Sequence, residues 1–206
     1  MVVSEAAPVR RTRAPGDRSR ARVVETAARL ATVEGLDGLS IGRLAAAAGV
    51  PKSSVHALFG SKEELQLATV HAARDSFVAE VVLPVLEAPT GAVRLIALAE
   101  GYLAYVERRV FPGGCFFVAA SAEMGARPGR LHDEVAKIQQ QWRDLLLMEA
   151  RAAAELGELP AGTDPAQLAF EIGALLAGTD IVSVLHDDHQ VIDRARHAVR
   201  QRVRGH

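Results

Sequence analysis

The chain reads as all-α, and three observations carry that reading. Period-2 runs of Val, Ile, Thr and aromatics, the mark of strands, barely occur. Apolar residues recur instead at i, i+3, i+4 and i+7 through most of the chain. Caps and Gly or Pro breakers separate these periodic stretches. About nine helices are expected, as an N-terminal three-helix unit (17–63) followed by a helical body (64–206).

With 206 residues, 49% hydrophobic and 24% charged, the chain can bury a substantial core, and the composition excludes global disorder. Residues 1–16 stand apart. Pro8, Pro15, Gly16 and three arginines give a disordered basic arm with two readings, a solvated tail or a phosphate or minor-groove contact.

The first helix is expected over Asp17–Glu34, with Val23, Val24, Ala27, Leu30 and Ala31 on its apolar face and Gly35 and Gly38 breaking it. Ser40 is an N-cap for the next, whose Ile41, Leu44, Ala45 and Ala48 share one face. Gly49 suits the left-handed conformation that ends a helix. Val55 and Phe59, at i and i+4 after Pro51, open a third. Helix, tight turn, helix is the organisation of a helix-turn-helix DNA reader, with Leu36, Leu39 and Leu44 closing its small core.

The charge distribution agrees. Residues 1–62 hold ten Lys/Arg against five acids, a net of +5; the whole chain is −1, which leaves −6 for the remainder. A basic head meets phosphates and an acidic body does not. Lys52 and Lys62 stand at helix starts where they neutralise phosphates, and Ser40 and Arg43 lie beside them. Ser53, Ser54 and His56 can hydrogen-bond bases or phosphates, and Ala57 can touch a thymine methyl.

Ser61 with Glu64 has the spacing of a capping box and starts a fourth helix running toward Pro84. Gly91 to about Val110 is the fifth, ended by Phe111-Pro112-Gly113-Gly114. Cys115–Gly125 is short and nearly all apolar, so it is expected to be buried on most sides. After Arg127-Pro128-Gly129 comes a long amphipathic helix, Leu131–Leu156. Asp164 as N-cap and Pro165 open the eighth, and Val191–Val203 is the ninth.

Residues Leu39-Ser40-Ile41, Ala48-Gly49-Val50-Pro51-Lys52-Ser53-Ser54-Val55 and Phe59-Gly60-Ser61-Lys62-Glu63-Glu64-Leu65 resemble the TetR family of bacterial transcriptional regulators. The resemblance reaches back through Val23, Ala27, Leu30 and Gly35; beyond the head it covers architecture, with Cys115-Phe116-Phe117 and Leu156-Gly157-Glu158-Leu159-Pro160 also similar. His56 stands where the family usually has Tyr, Ala57 and Leu58 where it often has His or Tyr, and Ala31 where it often has Phe. The resemblance implies a homodimeric repressor that reads neighbouring major grooves of a palindromic operator and is released by a small apolar effector; the single cysteine, suited to a reducing compartment, gives cytoplasmic as the expected location.

In such a body, Tyr102, Tyr105, Phe116, Phe117, Met124 and Trp142 are the candidates for the effector site, with Glu100 as a polar anchor; each has plain core packing as its other reading. Leu168, Ile172, Leu175, Leu176 and Thr179, on a helix that also carries Gly173 and Gly178, are expected at a four-helix dimer interface with the final helix, packing within the subunit being the alternative. The lone Cys115 excludes an internal disulfide and reads as a buried small hydrophobe or a thiol sensor.

No membrane partner is expected, because no stretch of about 18 uninterrupted apolar residues occurs, and no cofactor or metal is expected either, since consecutive residues of the 186–189 turn project in different directions. The rival function is a small helical metal-dependent enzyme using Glu123, His132 and the His186-Asp187-Asp188-His189 cluster. Against it, the chain has no nucleophile elbow, phosphate loop or His-Glu-x-x-His spacing.

Overall fold

The structure, a computed structural model, describes residues 15–125 and 127–205. The expected basic arm up to residue 14 lies outside the described residues. Among those described, nine α-helices run in order: α1 (Pro15–Glu34), α2 (Ile41–Ala48), α3 (Lys52–Phe59), α4 (Lys62–Phe77), α5 (Ala92–Glu107), α6 (Phe116–Met124), α7 (Arg130–Glu155), α8 (Pro165–Leu185) and α9 (Gln190–Arg204). Pro15 and Gly16, expected in the arm, form the first turn of α1, where a proline has no N–H to leave unpaired.

Helices α1–α3 form the head around Val23, Ala27, Leu36, Leu44 and Val55, each at most 1% exposed. The Ser40 hydroxyl accepts the Arg43 N–H at 3.2 Å and so caps α2. Gly49 ends α2 at φ 65°, ψ 39°, a left-handed turn that costs an L side chain more than glycine. Pro51 is the N-cap of α3, so Lys52 is its first helical residue. On the far side of α3 the Arg20 guanidinium sits 5.0 Å from the centre of the Phe59 ring, a cation–π contact that ties α1 to α3.

The fourth helix starts in the head, where the Ser61 hydroxyl accepts the Glu64 N–H at 3.1 Å, and continues into the body. Beyond Phe77 it widens into a π turn over Val78–Val82 and tightens to a 3-10 turn over Leu83–Val85. Pro84 brings no N–H to the ladder and forces that change of register. Gly101 of α5 lies against this turn, and a Cβ there would stand 3.2 Å from the Val81 carbonyl oxygen.

The N-terminus of α5 is held from outside its own sequence. Glu149 of α7 is wholly buried, and its carboxylate accepts the Gly91 N–H at 2.9 Å and the Thr90 hydroxyl at 2.8 Å, with the Arg94 guanidinium 3.3 Å away. Glu158 accepts the Ala92 N–H at 2.8 Å. Two carboxylates at one helix start satisfy orphan donors and oppose the positive end of the helix dipole.

Helix α8 corrects the expected interface. Leu168, Ile172, Leu176 and Thr179 are between 0% and 3% exposed inside the chain's own core, and Leu175 is half-buried. The face turned outward carries Phe170, Ala174, Gly178, Ile181 and Leu185 instead. A helix that is apolar all round gives no sequence signal for which stripe faces in, and that is why the assignment inverted. By length and apolar composition, α8 alone among the described helices could cross a membrane, yet it buries Asp180 and Ser183 along with Leu168 and Leu176, as a core helix does.

Replacing Glu149 with Ala leaves the Gly91 N–H, the Thr90 hydroxyl and Arg94 without their acceptor. A loss of about 3 kcal/mol in folding free energy is expected, read from urea midpoints. A loss below about 1 kcal/mol would show that water replaces the carboxylate there.

Candidate functional site

The head presents one outward face. On α3, Val55 and Phe59 turn into the core, which leaves Lys52, Ser53, His56 and Ala57 exposed on the opposite side and Ser54 half-buried between them. The Lys52 side chain folds back over Gly42 of α2, where an added Cβ would lie 3.2 Å from Nζ and would move the flexible lysine end by a few tenths of an ångström at most. Lys62 donates to the Asp37 carbonyl at 2.6 Å and remains exposed. Arg43, expected beside the two lysines, is exposed and paired. Its guanidinium grips Glu34 across α1 and α2, and this hydrogen-bonded pair holds the Glu34 carboxyl below its ordinary pKa.

A cavity of about 610 Å³ lies in the body between α4, α6, α7 and α8. Four of the seven expected residues line it: Tyr102, Phe117, Met124 and Trp142. Its centre is an aromatic cluster in which Phe77 meets Trp142 edge-on at 5.2 Å and Tyr102 stacks on Trp142 at 6.1 Å. The other three do not line it. Tyr105 and Phe116 are each 1% exposed and pack against Phe111 behind the wall. Glu100 pairs with Arg196 at 3.3 Å and Arg200 at 2.8 Å, joining α5 to α9 away from the cavity. Apolar periodicity marks core positions and cavity positions alike, so it could not separate them.

The polar part of the lining comes from residues that the sequence did not single out for an effector site, His132 having entered only as a candidate metal ligand. Arg74, Ser121, His132, Gln139, Gln141 and Arg143 all reach it. The Gln139 side chain donates to the Ser121 hydroxyl at 3.0 Å and to the Phe117 carbonyl at 3.2 Å, which fastens α7 to α6. Deeper in, Cys115 lines the cavity beside Tyr102, and its N–H donates to the Asp180 carboxylate at 2.9 Å. Burial pushes the Asp180 carboxyl up to about 6, against the Cys115 N–H and the positive charge of Arg109. Burial, reinforced by Asp180, pushes the Cys115 thiol up to about 11, so the thiolate that a redox sensor needs is disfavoured.

Head and cavity are physically joined. The Glu123 carboxylate, at the end of α6, accepts the N–H groups of Leu36 and Asp37 at 2.6 and 2.7 Å in the turn between α1 and α2. Arg127 reaches the same turn, bonding the Asp37 carboxylate at 2.8 Å and the Glu123 carbonyl. The loop before α6 touches α1 as well: the Gly113 N–H donates to the Thr32 hydroxyl at 3.1 Å, and Arg29 donates to the Val110 carbonyl at 2.9 Å. The same helix thus walls the cavity with Phe117, Ser121 and Met124 and grips the head with Glu123. For the rival metal site this arrangement leaves little: Glu123 is committed to backbone donors, His132 faces Asp133 at 3.0 Å, and 186–189 is a loop after α8.

Comparison with known proteins follows the same division. Residues 23–69 match the family model described as bacterial regulatory proteins, tetR family, and residues 91–199 match the tetracyclin repressor-like C-terminal domain. The transcriptional regulator AcuR of Cereibacter sphaeroides is 30% identical over 143 residues, which span 67% of this chain and 64% of that protein's length. A TetR transcriptional regulator from Chloroflexus aurantiacus superposes with a TM-score of 0.81 at 25% identity, covering 89% of this chain and 93% of that one. AibR, crystallised with isovaleryl coenzyme A and operator DNA, superposes at 0.69 with 22% identity over 87% of this chain and 97% of its own.

Asp180, behind the cavity wall at Cys115, gives the fold a pH signature. Its folded pKa lies above the roughly 3.9 of an unfolded Asp, so its contribution to stability is complete below that unfolded value and is lost as the pH rises through about 6. Asp180→Asn keeps an oxygen for the Cys115 N–H and removes the charge. Whatever offset it introduces, its stability relative to the parent is expected to rise between about pH 4 and pH 7 in urea titrations; a pH-independent difference would mean that water reaches the carboxylate.

Proposed function

Because the chain belongs to the TetR family of bacterial regulators, a family of DNA-binding transcription factors and not of enzymes, we propose that it is a ligand-responsive repressor acting as a cytoplasmic homodimer on palindromic operator DNA. The observation that carries this reading is α6, which lines the body cavity and holds the head through Glu123. A ligand seated against Phe117 and Met124 acts on the same short helix that fixes the turn before α2. The head orientation and the occupancy of the cavity are then linked, and a ligand that binds one orientation better shifts the population toward it.

On DNA, Lys52 and Lys62 neutralise phosphates, while Ser53, Ser54, His56 and Ala57 offer the base-facing surface of α3, with Ser40 at the start of α2 beside the backbone. Arg43 stands exposed on α2 beside them, in a surface ion pair with Glu34 that leaves guanidinium donors for the DNA backbone. A dimer with heads about 34–36 Å apart fits half-sites one helical turn apart. For its interface we assign the outward stripe of α8, Phe170, Ala174, Gly178, Ile181 and Leu185, together with α9. Its apolar ends are exposed by 69% at Phe170 and 73% at Leu185, and its small middle admits a second copy closely. That AibR was crystallised with both a coenzyme A thioester and operator DNA supports a two-ligand reading of the same architecture.

Mobility-shift titration with DNA from upstream of the protein's own reading frame tests this. Retardation that weakens steeply with salt is expected, and Lys52→Ala/His56→Ala is expected to lower affinity at least about tenfold. Unchanged affinity in that variant would remove α3 from the interface. Ile181→Glu is expected to convert a dimer to a monomer in sedimentation velocity and to abolish cooperative binding; a dimer that survives it would place the interface elsewhere.

A further inference from the structure

We propose that the occupant of the body cavity is an amphiphilic anion, with an apolar chain or ring among Phe77, Phe117, Met124 and Trp142 and a carboxylate or phosphate-bearing head at the rim beside Arg74 and Arg143. The proposal rests on reading this cavity as the effector site.

The sign of the rim carries it. The body is acidic, at −6 over residues 63–206, yet among the described residues no Asp or Glu lines the cavity, whereas two arginines and a histidine do. His132, Gln139 and Arg143 follow one edge of α7 at i, i+7 and i+11, and Gln139 shows that this edge faces α6. Arg143 is exposed, and its guanidinium donates to the neutral side chain of Gln140 at 2.5 Å. Among the described residues Arg74 meets only its neighbour Asp75, through two N–H groups at 2.6 and 3.0 Å on the outer surface. Both therefore keep donors for an anion, which a guanidinium binds through charge-assisted hydrogen bonds. The interior is matched to the other half of such a molecule, since the residues around Phe77 are buried and apolar. One polar group there is nearly unspent: among the described residues the buried Tyr102 phenol has only the weakly bonding Cys115 thiol beside it, so it is available to an ester, thioester or carboxyl oxygen just inside the head.

Trp142 is the chain's one tryptophan and lines the cavity, so its emission reports occupancy directly. Titrations with sodium decanoate, decanoyl coenzyme A, decanol and decyltrimethylammonium separate head charge from chain. At least one of the two anions is expected to bind at least about tenfold more tightly than decanol, with the ammonium weakest; which anion leads tells a free acid from a coenzyme A carrier. Arg74→Gln/Arg143→Gln is expected to erase the preference and keep decanol binding within about twofold, while Arg74→Lys/Arg143→Lys retains it. Decanol or the ammonium binding as tightly as both anions, or a preference that survives the Gln pair, overturns the anionic head and leaves the effector site standing. No change in Trp142 emission with any of the four overturns the effector site itself.

Discussion

Two hydrogen bonds from the turn between α1 and α2 to the Glu123 carboxylate connect everything this protein is built to do. The turn has backbone N–H groups that no helix satisfies, and the carboxylate at the end of α6 supplies acceptors for both. Around it, Arg127 and Gln66 add further bonds to Asp37, while Lys62 takes the Asp37 carbonyl. The head is thereby seated on the body through polar contacts of definite direction. Apolar packing alone would let it slide; directed bonds to one short helix make its position depend on where that helix sits.

Helix α6 has only nine residues, too few to be stable by itself, and it takes its place from what surrounds it. Gln139 of α7 holds its middle, and the loop before it is fixed where Cys115 donates to Asp180 of α8. Gly114 is required at that point. Its φ of +87° and its closeness to Asp180, where a Cβ would stand 2.4 Å from the carboxylate oxygen, leave room for no side chain. An occupant of the cavity therefore meets a wall whose two ends are tied to different helices.

The eighth helix divides its circumference among three tasks. Leu168 and Ile172 fill the core, Gly173, Leu176 and Ala177 border the cavity, and Phe170, Ile181 and Leu185 face outward. Phe170 and Ala174 belong to both the cavity border and the outward stripe, so the proposed partner copy covers one edge of the cavity and leaves the α4 and α7 edge, with its arginines, to the ligand.

Local chemistry determined the helices, and the sequence was enough to read them. Ser40, Gly49, Ser61 and Asp164 announce helix ends through bonds made within a few residues, and each makes the bond its type suggests. The exposed face of α3 was equally legible, because Val55 and Phe59 fix which side turns inward. Everything that depends on a partner distant in sequence was decided by tertiary structure. Glu149 on α7 and Glu158 in the loop after it look like ordinary surface acids until they meet the start of α5, and Glu123 until it meets Leu36 and Asp37. Tyr102 and Tyr105 stand one helical turn apart on the same face, yet one lines the cavity and the other lies behind it. The inward stripe of α8 could not be told from its outward one, since both are apolar. Periodicity records that a face is hydrophobic; only the packing of neighbouring helices decides whether that face meets core, cavity or a second chain.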